Sequence, residues 1–258
     1  MLKTLFESFV AAFSMYSKLP MPQISWNDKN MRYSFVFFPF VGIVIALILA
    51  ALLAVCNYYY FSPALFSAFA VLMTVLITGG IHLDGYCDTI DALNSHKDRE
   101  EKLRILKDPN VGAFALIYTA ALLLVQFAAW YEIFLTQHLL FIVFISFFLS
   151  RSIGAMVVVA FPCARTTGLA SIFADYASKK ALRIILAVFI LFCACAMVYI
   201  NVIAAIFALL FVMISFLWFY RMMKREFGGI TGDLAGFYIV ICETGILTIA
   251  AVLGGILP

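Results

Sequence analysis

Charge is what this chain has least of: 12% of its 258 residues are Asp, Glu, Lys or Arg, while 66% are hydrophobic. A water-soluble domain carries charge on about a quarter of its residues, so a soluble globular fold is excluded. The six cysteines (Cys56, Cys87, Cys163, Cys193, Cys195 and Cys242) lie mostly inside apolar stretches. None falls in a CxxC or Cys/His spacing, which gives no zinc or iron–sulfur site and leaves them as small packing residues. No GxxxxGK loop occurs, so nothing points to a P-loop nucleotide site. The formal net charge of +3 is no nucleic-acid footprint, because the basic residues sit in short connections between apolar runs. Met1 to Lys18 contains Glu7, lacks a long apolar run and precedes no small-residue cleavage site, so a cleaved leader is not expected.

What is present is a series of apolar runs long enough to cross about 30 Å of hydrocarbon at about 1.5 Å per residue. They extend from Tyr33 to Cys56, Ala64 to Ile81, Val111 to Trp130, His138 to Phe161, Leu182 to Tyr199, Val202 to Tyr220 and Leu234 to Leu253. Before them, Leu2, Leu5, Phe6, Phe9, Val10 and Phe13 recur at helical spacing, so residues 1–22 read as an amphipathic leader broken by Pro20 and Pro22. The expectation is an all-α polytopic membrane bundle of about seven transmembrane helices plus an amphipathic N-terminal helix, forming one domain over 1–258. All seventeen Lys and Arg except Arg151 fall on one side of such a bundle. That split predicts a cytoplasmic N-terminus.

The long polar stretch, 82–110, carries the densest chemistry. Asp84, Asp88 and Asp91 are spaced four and three apart, so a helix places them on one face, and no Lys or Arg lies between Tyr33 and His96 to neutralise them. Two readings stand: the acids hold a divalent cation, or they merely end the preceding span. Hard carboxylate oxygens favour Mg²⁺, with Mn²⁺ as a substitute. Gly79, Gly80 and Gly85 allow close backbone approach at the same point. Downstream, Arg104 and Lys107 are phosphate-binding candidates, and Asp108 is a fourth metal ligand or an orienting group. His82 adjoins the acids as a base or hydrogen-bond donor. Arg151 lies well inside a span, where a cation needs a polar cavity or a paired acid. Arg165, beside two threonines and Gly168, is a candidate anion-binding turn. Thr231 and Asp233 open the last span, and Glu243 lies ten residues further on, about 15 Å down a helix. Arg151 is its most economical partner.

In this order the residues resemble the cobalamin 5'-phosphate synthase family, the adenosylcobinamide-GDP ribazoletransferases. The matching pieces are His82-Leu-Asp84-Gly85 with Asp88, Thr89 and Asp91, Arg104 with Asp108 and Gly112, Arg151, Arg165 with Gly168, and Gly228-Gly-Ile-Thr231-Gly232-Asp233 with Glu243. The likeness runs from about residue 30 to 245 and departs at Ala92, where glycine is expected. It implies transfer of the phospho-adenosylcobinamide unit from adenosylcobinamide-GDP to α-ribazole or α-ribazole 5'-phosphate with release of GMP. It further implies Mg²⁺ on Asp84, Asp88, Asp91 and Asp108 as the catalytic group. Substrate phosphates would lie against His82, Arg104, Lys107, Arg151, Arg165, Thr231, Asp233 and Glu243. A homo-oligomer is compatible with such a bundle. The alternative, a CDP-alcohol phosphotransferase, requires Ala-Arg where Asp88-Thr stands and a later Gly-x-x-x-Asp-x-x-x-Asp unit that is absent. A carrier would need polar groups through the outer half of the bundle, which has almost none.

Overall fold

Inside a bilayer the backbone has no hydrogen-bond partner but itself, so each apolar run must close its own helical ladder. The computed structural model describes residues 2–31, 33–164 and 179–256. Its helices are α1 (Leu2–Tyr16), α2 (Asp28–Met31), α3 (Ser34–Tyr58), α4 (Pro63–Thr78), α5 (Ile81–Asn94) and α6 (Arg99–Ile105). They continue with α7 (Ala113–Thr136), α8 (Leu140–Ala160), α9 (Lys179–Ile200), α10 (Val202–Met222) and α11 (Gly232–Gly254). A π-helical turn, Met223–Phe227, extends α10. Among the described residues there is no strand, only an isolated bridge between Cys163 and Ile230.

Helices α3, α7, α8, α9, α10 and α11 are each long and apolar enough to cross a membrane. The seventh apolar run takes another form. α4 passes the same test only together with α5, and the two are bent by 93°. Gly79 and Gly80, at φ 65° and 77°, make that corner, since two successive left-handed residues are open to glycine and costly for others. α4 is the apolar half. α5, with its three aspartates, turns off the span and lies along the charged end of the bundle, against the first turns of α7 and α11.

The membrane-spanning helices form two tiers. In α8, 78% of the apolar window is buried, and in α11, 61%, against 22–39% for the others. These two are the axis of the bundle, and they pack on each other, with α3 and α9 flanking α8 and with α5, α7 and α10 flanking α11. The lipid-facing residues of the outer helices, such as Leu47, Leu124, Phe192 and Ile206, are exposed and apolar, as hydrocarbon contact permits. α1 tucks Val10, Ala11, Ala12 and Phe13 against the bundle, and the chain after it is tied to the end of α4 by Lys18 N–H donating to the Ile77 carbonyl at 2.7 Å.

Candidate active site

The local sequence of α5 builds its position. His82, Gly85, Tyr86, Thr89 and Ala92 form its buried face. Gly85 meets the backbone of Asp233, where an added Cβ would stand 2.6 Å from the carbonyl oxygen. Gly236 answers from α11, where a Cβ would stand 3.2 Å from His82 Cα. Tyr86 stacks on Phe237 with ring centroids 5.5 Å apart and planes within 11°. Ala92, the departure from the family pattern, is fully buried, so its methyl is absorbed in packing. The result seats the first turn of α11 beside the acidic row of α5. Burial, with Asp84, Asp233 and Asp91 around it, pushes the Asp88 carboxyl up to about 7. Carboxylates crowded in this way favour protonation or a cation.

Asp84 also lines a 560 Å³ cavity together with Lys18, Ser14, Thr78 and the Gly79–Gly80 corner. Acid and ammonium thus face one space, suited to a cation and a phosphate together. Lys18 is the residue the sequence reading missed. It counted there only toward orientation, and what brings it here is the tie of its backbone to the end of α4.

The other sequence candidates separate. Asp91 accepts hydrogen bonds from Gly112 N–H (2.5 Å) and Ala115 N–H (2.9 Å), capping α7 with both carboxylate oxygens. These bonds hold the start of α7 against α5. Asp108, the expected fourth ligand, is exposed in a turn, where it accepts from Asn110 N–H and Nδ2–H. Those bonds hold its carboxyl below the usual carboxylate range, and it is not among the charges acting on Asp88. Arg104 points outward and pairs with Glu101 at 3.0 Å, and Lys107 is exposed. The buried cation of α6 is instead Lys102, ion-paired with Glu226. Thr231 caps α11, accepting from Leu234 N–H at 3.2 Å. Arg165 lies outside the described residues.

Deeper in the bundle, Arg151 and Glu243 pair as expected, Nη1 to Oε1 at 2.5 Å. Ser150 donates to the same oxygen at 2.7 Å, and Arg151 Nη1 also donates to the Phe147 carbonyl at 2.9 Å. Arg151 is 1% exposed. Its charge is paired with Glu243 inside the core. His82 stands between the two regions, buried, edge-on to Phe38 at 5.8 Å and within the field of Arg151. Its Nε2 has no hydrogen-bond partner among the described residues.

The carboxylates suit a hard divalent cation in their chemistry: Asp84 and Asp88 are one turn apart on α5, and Asp233 comes from the next helix. Among the described residues no three His, Cys, Asp or Glu side chains stand together as a ready metal cage.

The family model for Cobalamin-5-phosphate synthase matches residues 8–251, which includes every element of this site. The chain belongs to the cobalamin-5-phosphate synthase family. An adenosylcobinamide-GDP ribazoletransferase of Lachnoclostridium phytofermentans is 34% identical over 232 residues, covering 90% of this chain and 88% of the relative. One of Clostridium perfringens (strain SM101) is 31% identical over 255 residues, covering 97% and 100%. A third, of a Geobacillus species, is 29% identical over 251 residues. No solved structure matches the chain.

Proposed function

We propose that this protein is an adenosylcobinamide-GDP ribazoletransferase of a prokaryotic inner membrane, with its charged end toward the cytoplasm. The observation that carries the reading is the family match over residues 8–251, spanning the whole carboxylate site, with relatives of that name aligned along nearly their full length. The lipid bilayer is its solvent. Its substrates are adenosylcobinamide-GDP and α-ribazole or α-ribazole 5'-phosphate.

In this reaction a ribose hydroxyl of the acceptor attacks the phosphorus that bears the cobinamide. The bond from that phosphorus to the bridging oxygen breaks, and GMP leaves with the electron pair. Asp84, Asp88 and Asp233 would hold Mg²⁺, or Mn²⁺ in its place, which supplies Lewis-acid charge for the diphosphate. Lys18 faces the same cavity and suits the phosphate oxygens as a point charge. A carboxylate oxygen of the cluster takes the proton of the attacking hydroxyl. Asp91 fixes α7 against α5, and Gly85 fixes α5 against α11, so the donors keep their separation as charge moves.

The test is GMP release from adenosylcobinamide-GDP by purified, detergent-solubilised protein, with and without α-ribazole and Mg²⁺. Acceptor-dependent and metal-dependent release is expected. Folded protein that releases no GMP in the complete mixture sinks the assignment.

A further inference from the structure

A second cavity, of 620 Å³, opens where the end of α5 meets α6, the last turns of α10 and the π turn. None of the site's aspartates lines it. Its walls carry His96, Lys97, Lys102, Arg221 and Arg225 around a single carboxylate, Glu226, with the Trp218 ring at one edge. Glu226 is already shared: Lys102 pairs with one of its oxygens and Arg225 Nε with the other at 2.9 Å. Lys97 and Arg221 have no acidic partner among the described residues. The cavity therefore holds positive charge that the protein itself does not neutralise.

Orientation across a membrane needs only exposed Lys and Arg, and three features here exceed that need. The Lys102 side chain is 8% exposed, a desolvation no topogenic lysine requires. The wall beyond Arg221 is a π turn, closed by Gly228 N–H on the Met223 carbonyl at 3.0 Å, and such turns gather at functional sites. His96 sits at φ 52°, a left-handed conformation that a non-glycine residue adopts at a cost and that recurs in ligand clamps. The cavity has the size of a small-molecule site. Trp218 is half exposed and lies 6.1 Å from the Phe237 ring, a flat apolar surface beside the cations.

We propose that this cavity is a phosphate site separate from the carboxylate cluster, taking the phosphate group of an anionic ester. Lys97, Arg221 and Arg225 supply charge-assisted donors, and Trp218 packs against whatever carries the phosphate. Two sources share that chemistry: a soluble nucleotide monophosphate, and the headgroup of an anionic lipid at the bundle's charged end. The phosphate chemistry rests on the cavity alone. Only naming the soluble ligand as the acceptor's 5'-phosphate or the departing GMP rests on the proposed reaction.

The test measures binding without turnover, in EDTA, so that it is independent of the transferase assay. GMP, inorganic phosphate and guanosine are titrated into detergent-solubilised protein by calorimetry. The comparison is wild type, the Lys97→Gln/Arg221→Gln double variant, a Lys180→Gln/Lys224→Gln control of equal charge, and Asp84→Asn. GMP and phosphate are expected to bind wild type, the control and Asp84→Asn, with guanosine far weaker. The Lys97→Gln/Arg221→Gln variant, which orphans no carboxylate, is expected to lose about tenfold or more in affinity. Protein in phosphatidylglycerol and in phosphatidylcholine nanodiscs separates the sources. Loss of GMP binding only with phosphatidylglycerol, with fewer retained anionic lipids on the double variant, makes the lipid the occupant. GMP binding unaffected by lipid makes it the soluble ligand. Equal GMP and lipid binding by wild type and the double variant, or binding by neither, overturns the proposal, as does binding lost on Asp84→Asn alone.

Discussion

Gly85→Ala is the substitution that most directly tests how the site is held. The added methyl would lie 2.6 Å from the Asp233 carbonyl oxygen and 3.0 Å from its Cα, against an ordinary contact beginning at 3.4 Å. Both obstacles are backbone in the first turn of α11, so no side chain can swing aside. α5 must move off α11 by about 0.8 Å, and overpacking of that kind costs about 1–3 kcal/mol. The displacement carries Asp84 and Asp88 away from Asp233, and a shift near 1 Å in a catalytic group costs on the order of 100-fold in rate. Gly236→Ala is the graded companion: its methyl meets His82 Cα at 3.2 Å, a shortfall of a few tenths, with an expected rate loss of about tenfold or less. Gly232→Ala meets nothing within 4 Å and is expected to leave stability unchanged or raise it by up to about 1 kcal/mol through helix propensity. The assays are kcat for GMP release and unfolding in detergent. Wild-type turnover in Gly85→Ala, or a Gly232→Ala melting loss as large as that of Gly85→Ala, would refute the close-contact reasoning.

Three further outcomes are expected. Asp91→Ala strips the α7 cap and should cost about 1–2 kcal/mol, with metal affinity, read by Mn²⁺ binding, unchanged; a large fall in Mn²⁺ affinity without loss of stability would make Asp91 a ligand instead. Glu243→Gln leaves the Arg151 guanidinium buried without counter-charge and should destabilise by about 3–5 kcal/mol, most of which an Arg151→Met/Glu243→Leu double variant recovers; additive single effects would contradict a coupled pair. The raised Asp88 carboxyl favours the folded state at low pH, so in EDTA stability should fall as pH rises from about 4 through about 7. Mg²⁺ at pH 8 should restore that loss, and Asp88→Asn should flatten the pH dependence while abolishing turnover; a metal-free protein with level stability from pH 4 to 8 would contradict the crowding of charge.

The apolar runs were legible because hydrocarbon demands about 20 apolar residues per crossing, and the observed helices start and stop near them, except that α7 runs on past Trp130 to Thr136. The acidic row of α5 was legible from its spacing, and the Arg151–Glu243 pair from the cost of leaving either charge alone in a core. What stayed hidden depends on where distant segments meet. The cap that Asp91 places on α7 is invisible until α7 arrives to donate two amides to it. In α6, seven residues long, Lys102 and Arg104 look interchangeable; contact with Glu226, 124 positions away, buries one and leaves the other in water. Lys18 comes to line the cavity of Asp84 through a tie of irregular backbone that has no periodic signature. The Gly79–Gly80 pair suggested a close backbone approach, but the right angle it makes follows only from two successive positive φ values.

That corner sets a length as well as a direction. α4 ends after 16 residues, about 24 Å of helix, where the hydrocarbon slab is about 30 Å thick. Beside α3, with 25 residues, the bilayer must thin by roughly 6 Å to bring water to α5, at fractions of a kcal/mol per ångström. Such a mismatch predicts that turnover falls as the lipid chains around the protein lengthen, because hydrocarbon then presses against the α5 shelf.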